Sequence, residues 1–141
     1  MRIFIFACVH NAGRSQISAA FFNQLVDSDA ARAISAGTHP AERVHPVVVD
    51  AMREVGIDLS AAKPQKLTVE LAEHAEMLIT MGCGDECPYV PGLVREDWPL
   101  PDPKGQGIEP VREIRENIRQ RIVELIDRRH VPCSPVVSPG Y

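Results

Sequence analysis

Arg2-Ile3-Phe4-Ile5-Phe6-Ala7-Cys8-Val9-His10-Asn11-Ala12-Gly13-Arg14-Ser15 is the stretch on which the fold turns. From Arg2 to Val9 it is short, apolar almost throughout, and partly β-branched and aromatic, as expected of a strand buried on both faces of a parallel sheet. His10 to Arg14 is small and polar and reads as a loop. From Ser15 to Val26 apolar residues recur at Ile17, Ala20, Phe21 and Leu25, a helical stripe. Strand, loop and helix in that order open a βαβ unit.

The alternation continues outward from that stretch. Arg32 to Ala36 is a second short strand ending at Gly37-Thr38. Pro46 to Val55 is a helix with Val48, Val49, Met52 and Val55 inward and Gly56 as its stop. Thr68 caps a further helix carrying Glu70 to Glu73, and Ala75 to Met81 is a third apolar strand. Leu93 to Trp98 is the fourth. A loop rich in Pro and Gly leads to the longest helix, Glu109 to Arg128, apolar at Val111, Ile114, Ile118, Ile122, Leu125 and Ile126. The order implies a single-domain α/β fold, a three-layer doubly wound sandwich around a central four-stranded parallel sheet. Residues 1–129 form the expected domain, and 130–141 a Pro-rich C-terminal tail.

Composition narrows the function. The 141 residues carry 15 Lys plus Arg against 19 Asp plus Glu, a net charge of −4, with no dense basic run. Nucleic acid is therefore not the expected partner, because phosphate neutralisation needs clustered cations. No window reaches the roughly 18 apolar residues of a spanning helix, and the apolar start lacks a signal-peptide cleavage pattern. The expected location is the cytoplasm, where four cysteines are thiols with chemistry rather than a disulfide framework.

In open α/β sheets ligands sit beyond the carboxyl ends of the strands, where the Cys8–Arg14 loop lies. With its N–H groups turned inward, the loop would cradle a tetrahedral oxyanion at a helix N-terminus. Cys8, Val9, His10, Asn11, Ala12, Gly13 and Arg14 are thus the candidate substrate-binding residues, with Gly13 permitting the sharp path. Amides and the Arg14 guanidinium would favour a Cys8 thiolate, the nucleophilic form. Arg14 offers a planar fork to two oxygens of one anion, Ser15 can donate to the Cys8 sulfur, and Asn11 can orient the loop. A plain reading of Cys8 is a buried small hydrophobe, and His10 reads as a rim residue.

Cys8-Val9-His10-Asn11-Ala12-Gly13-Arg14-Ser15 resembles the C-x5-R-S signature of low-molecular-weight protein tyrosine phosphatases and of the arsenate reductases built on their fold. Ser35-Ala36-Gly37-Thr38, Val44-His45-Pro46, Gly56-Ile57-Asp58, and Asp97-Trp98 running into Asp102-Pro103 resemble the family in order and spacing. The resemblance implies Asp102 as general acid, with Asp97 the alternative carboxylate and a turn-forming Asp-Pro the bland reading. The acid loop reads Asp102-Pro103-Lys104, without the tyrosine usual in the phosphatases, which favours the reductase.

Met81-Gly82-Cys83-Gly84-Asp85-Glu86-Cys87 adds two thiols after the third strand. Hydrolysis of a phosphate ester needs one thiolate, whereas reducing arsenate needs two electrons, which a thiol pair supplies as a disulfide. The expected relay has Cys8 attack arsenate, Cys83 attack Cys8 so that arsenite leaves, and Cys87 attack Cys83. No tightly bound cofactor and no metal are expected, because Cys83 and Cys87 lack a second ligand pair for zinc. The reductant would be external: thioredoxin, or glutathione or mycothiol with a glutaredoxin-like redoxin. Phosphate or sulfate would mimic the substrate. Two other readings stay open: a phosphatase whose extra cysteines protect Cys8 from overoxidation, and a non-catalytic thiol module binding arsenite or soft metals. Cys133 reads as an inert tail thiol, and His39, His45, His74 and His130 as surface or helix-start residues.

Overall fold

Arg2–Cys8, the opening apolar run, forms strand β1 near the middle of a sheet in the computed structural model, which describes residues 1–82 and 90–134. It is followed by α1 (Arg14–Leu25), β2 (Ala31–Gly37), α2 (Pro46–Arg53), α3 (Val69–Glu73), β3 (Met77–Thr80), β4 (Val94–Asp97) and α4 (Ile108–Arg128). The four strands are ordered β2-β1-β3-β4, and every pairing is parallel. This is the doubly wound α/β architecture the alternation implied. Strand order reverses at β1, so a crevice opens beyond its carboxyl end, where Cys8 stands.

Alternation along β1 supplies both faces of the core. Phe4, Phe6 and Cys8 enter one apolar cluster with Ile17 and Phe22 of α1, Val48 and Met52 of α2, and the inward stripe of α4. Ile5 and Ala7 enter the other, with Leu67, Ala72 of α3 and Leu78 of β3. Phe22 lies 4.9 Å from Phe4 and 5.8 Å from Phe6 between ring centroids, and Phe6 is 5.8 Å from Trp98. Pairs at these separations add aromatic attraction to the area they bury. Trp98 is buried, and its indole N–H donates to Glu96.

The helix ends follow their local chemistry. Thr68 caps α3 by accepting the Leu71 N–H at 3.1 Å. α2 closes with Gly56 at φ +81°, while Ile57 N–H reaches Met52 O and Gly56 N–H reaches Arg53 O, a Schellman closure in which glycine avoids a Cβ penalty. α1 departs from the expected stripe. Phe22 is fully buried, Ala20 and Leu25 only half so, and every residue of its first turn is buried. β3 begins two residues later than its apolar run: Ala75 N–H still donates to Ala72 O of α3, while Glu76 N–H donates to Ile3 O of β1. Past α4, residues 131–134 lie against the end of α1, with Cys133 bridged antiparallel to Val26 and Asp27 N–H donating to Pro132 O. No helix among the described residues is long and apolar enough to cross a membrane.

Glu54, at the end of α2, accepts hydrogen bonds from Arg112 and Arg115 of α4. These bonds hold its carboxyl at about 2, well below 4.5. A depressed carboxylate contributes its stability above the unfolded value and loses it as pH falls toward the folded one. Glu54→Gln should therefore lower the thermal midpoint at neutral pH, with a deficit that shrinks as pH is taken from about 5 to about 3. Added salt should shrink it too, since the pair is exposed. Thermal unfolding of both chains across that range is the check, and a pH-independent deficit would refute the ion-pair account.

Candidate active site

The loop from Cys8 to Arg14 is polarised by what its carbonyls do. Cys8 O accepts from Thr38 N–H, Val9 O from His39, His10 O from Ala41, Ala12 O from His45 and Gly13 O from Ile17. Asn11 O is taken by the Gln16 side chain and Arg14 O by the Ser18 hydroxyl. The N–H groups of His10, Asn11, Ala12 and Gly13 donate to no group among the described residues. With every carbonyl oxygen tied down, what remains is a set of unused donors at the start of α1, the kind of arrangement that suits an oxyanion.

Cys8 is buried under this loop, with its Sγ 2.9 Å from Ser15 Oγ. Ser15 Oγ also accepts the Asn11 side-chain N–H at 2.7 Å. The orientation of the Asn11 amide is fixed from behind: its Oδ1 takes the Gln65 backbone N–H at 2.9 Å, and a backbone N–H can only donate. Asn11 Nδ2 must then face Ser15, which leaves the Ser15 hydroxyl proton for the Cys8 sulfur. Asn11 sits at φ +51°, a left-handed conformation that Asn tolerates better than most residues. The expected turn-maker, Gly13, has φ −144° and is not left-handed. Its use is different: a Cβ there would lie 2.5 Å from Pro103 Cγ, so glycine lets the acid loop close over the cradle.

Arg14 is buried at the mouth. Its Nη1 donates to Leu100 O at 3.1 Å, its Nη2 faces Asp102 Oδ2 at 3.7 Å, and its Nε is buried with no partner. Asp102 Oδ1 accepts the Lys104 N–H, a local turn that fixes the carboxylate on this loop. Asp97 is elsewhere engaged, accepting the Thr80 hydroxyl at 2.8 Å at the end of the sheet. His10 lies on the rim with Nδ1 3.2 Å from His39 O. His45, at the start of α2, packs beside Gly13, and burial pushes its imidazole below its ordinary value despite the Asp102 charge.

Cys8, Val9, His10, Asn11, Ala12, Gly13, Arg14, Ser15 and Asp102 are thus brought to one crevice. Cys83 and Cys87 lie outside the described residues. Gly82, at φ +87°, is the last residue before them, and a Cβ on it would come within 2.8 Å of Arg14 Nη1. Cys133 is exposed beside the end of α1. Among the described residues no group of three or more His, Cys, Asp or Glu side chains is arranged to hold a metal ion. Sequence reasoning missed Gln16, Gln65 and the Leu100 carbonyl, and read His45 only as a surface or helix-start residue, which is where it stands, at the start of α2. A polar residue directly after Ser15, at the foot of a helix, was the available signal for Gln16.

A buried cysteine beneath unused amides, capped by an arginine and faced by an aspartate, makes a candidate anion site built around a thiol on a doubly wound sheet. The chain belongs to the low molecular weight phosphotyrosine protein phosphatase family, whose sequence model matches residues 3–131. Within it, the chain is 42% identical over 128 residues to a Halobacterium salinarum protein with the provisional name arsenate reductase, covering 88% of this chain and 90% of that one. It is 34% identical to the glutaredoxin arsenate reductase of Synechocystis, covering 89% and 97%. The solved structure of the thioredoxin-dependent arsenate reductase of Corynebacterium glutamicum superposes with a TM-score of 0.78 at 38% identity, over 92% of this chain. This chain spans 62% of that protein's length.

Proposed function

We propose that this enzyme reduces arsenate to arsenite, with Cys8 as nucleophile and Cys83 and Cys87 as the thiols that take up the oxidising equivalents. The observation that carries the reading is the unused donor set around Cys8: four loop N–H groups and the buried, unpartnered Arg14 Nε. Such groups are costly to bury unless a ligand completes them, and a tetrahedral oxyanion does so. The arsenate reductase names of the relatives support arsenic over phosphorus as the reacting centre.

The steps balance as follows. Cys8 Sγ attacks As(V), forming an S–As bond, and one oxygen leaves as water with a proton from Asp102. Cys83 thiolate then attacks Cys8 Sγ; the S–As electron pair passes to arsenic, which departs as arsenite, As(III), and a Cys8–Cys83 disulfide remains. Cys87 thiolate attacks Cys83 Sγ, which frees Cys8 and leaves a Cys83–Cys87 disulfide. An external dithiol of the thioredoxin or glutaredoxin class, or a small thiol, returns the two electrons. Support for Cys83 as the second thiol comes from its neighbour, since Gly82 lies against Arg14.

Single-turnover reaction with arsenate, followed by thiol trapping and mass spectrometry, tests the relay. Cys87→Ala should accumulate the Cys8–Cys83 disulfide with one arsenite released per chain, and Cys83→Ser should stop arsenite release. Steady hydrolysis of para-nitrophenyl phosphate by Cys83→Ser, with no arsenite from the unsubstituted chain, would instead establish a phosphatase with protective cysteines.

A further inference from the structure

We infer that Gln16 is a positioning residue for Cys8, acting through Asn11 and Ser15 to aim a hydroxyl proton at the sulfur. The inference rests on the reading of Cys8 as the reactive thiol and adds a residue to the machinery behind it. Gln16 is the third residue of α1, and it is buried although polar. Its Nε2 donates to Asn11 O at 3.0 Å and lies 3.2 Å from Asn11 Oδ1. One amide group therefore grips both the backbone and the side chain of the residue that holds the left-handed conformation of the loop.

That grip has a chemical consequence. Asn11 Oδ1 is shared between Gln16 and the Gln65 backbone N–H, so its side chain can neither rotate nor flip without losing two donors. The only remaining direction for Asn11 Nδ2 is Ser15 Oγ at 2.7 Å, and that hydroxyl, once it has accepted, keeps its proton for Cys8 Sγ at 2.9 Å. The chain of polarity runs one way, from Gln16 and Gln65 through Asn11 and Ser15 to the sulfur. Successive hydrogen bonds polarise one another, so a donor removed at the far end weakens the last link.

Two features separate this role from ordinary packing. Leu or Met would fill the same space in an apolar turn, yet the residue present spends both N–H donors on one neighbour. Its side chain also borders a cavity of about 380 Å³, lined by Ala19, Arg32, Ser35, Leu59 and Gln65 among others, so a shape-matched replacement can be housed without a clash.

Gln16→Met keeps the length and removes the donors. The experiment is the rate of Cys8 alkylation by iodoacetamide from about pH 5 to about pH 10, read by peptide mass spectrometry so that the other cysteines do not contribute. Thermal midpoints are measured alongside. Gln16→Met should slow alkylation about tenfold near pH 6, the order of one hydrogen bond to a charged group. The factor should shrink toward the alkaline end of the range. Ser15→Ala should slow it at least as much, and adding Gln16→Met to Ser15→Ala should change little, because both act through one hydroxyl. An unchanged profile in Gln16→Met, equal slowing at every pH, or full additivity with Ser15→Ala would each overturn the inference. Alkylation involves no arsenate, so a Gln16 effect in a chain that fails to reduce arsenate would overturn the proposed reaction and leave this assignment standing.

Discussion

Cys8→Ser is expected to abolish arsenate reduction, to below about a thousandth of the starting rate, while leaving the oxyanion cradle able to bind. Two separate physical losses drive the first effect. A serine hydroxyl is a far weaker nucleophile near neutral pH than a thiolate, and oxygen cannot enter the disulfide whose formation supplies the two electrons to arsenic. The second half of the prediction follows from the geometry. The N–H groups of His10 to Gly13 and the Arg14 Nε are supplied by backbone and by another side chain, so the substitution leaves them in place. A neutral hydroxyl under the cradle also removes the repulsion between a thiolate and an incoming dianion, so phosphate should bind as tightly or more tightly. Arsenite production coupled to a thiol reductant measures the first quantity, and calorimetric titration with phosphate the second. Turnover that survives the substitution would place the chemistry on another sulfur. Loss of phosphate binding together with turnover would mean that the loop collapses without its cysteine, and the separate roles assigned to sulfur and amides would fall.

What the sequence discloses of this site, and what it withholds, follows from the range of the forces involved. Strands and helices were legible because burial on one face leaves a period in the chain: the inward residues of α4, from Val111 to Ile126, are those the stripe predicts. That Cys8, Arg14 and Asp102 come together was legible because the fold class places their positions at one sheet edge. Gln16 and Gln65 were not, because their use lies in a hydrogen bond to a single neighbour, which has no periodicity. The first turn of α1 hid Gln16 further, while Gln65 acts through its backbone N–H, which no residue type discloses. All four residues of that turn are buried, so its amphipathic pattern is lost where Arg14, Ser15 and Gln16 sit. Gly13 shows the opposite error. Glycine in a loop suggests a left-handed turn, but here its value is the missing Cβ under Pro103, a tertiary contact across the crevice, while Asn11 takes the left-handed conformation.

Arg14→Lys is expected to lower kcat/KM for arsenate by about a hundredfold to a thousandfold, the range found when one donor to a developing oxyanion is removed, although it preserves the charge. The reason is that Arg14 uses three nitrogens for three different ends. Nη1 ties down the acid loop through Leu100 O, Nη2 faces Asp102, and Nε is kept free. The ammonium of lysine is a single point that can answer one of these demands at a time. Given to the anion, it releases the Leu100 carbonyl and with it the loop that carries Asp102 and Pro103; given to the carbonyl, it leaves the anion with backbone donors alone. The first choice separates Asp102 from the oxygen it would protonate, and the second leaves that oxygen's anion poorly held. Arg14→Lys and Asp102→Asn should therefore be strongly non-additive, with the double variant little slower than the worse single one. Hydrogen exchange in residues 100–104 should rise in Arg14→Lys and stay unchanged in Asp102→Asn, because only the first removes the tether. Independent, additive losses with no change in exchange would mean that Arg14 serves the anion alone and that the Leu100 contact is incidental to the chemistry.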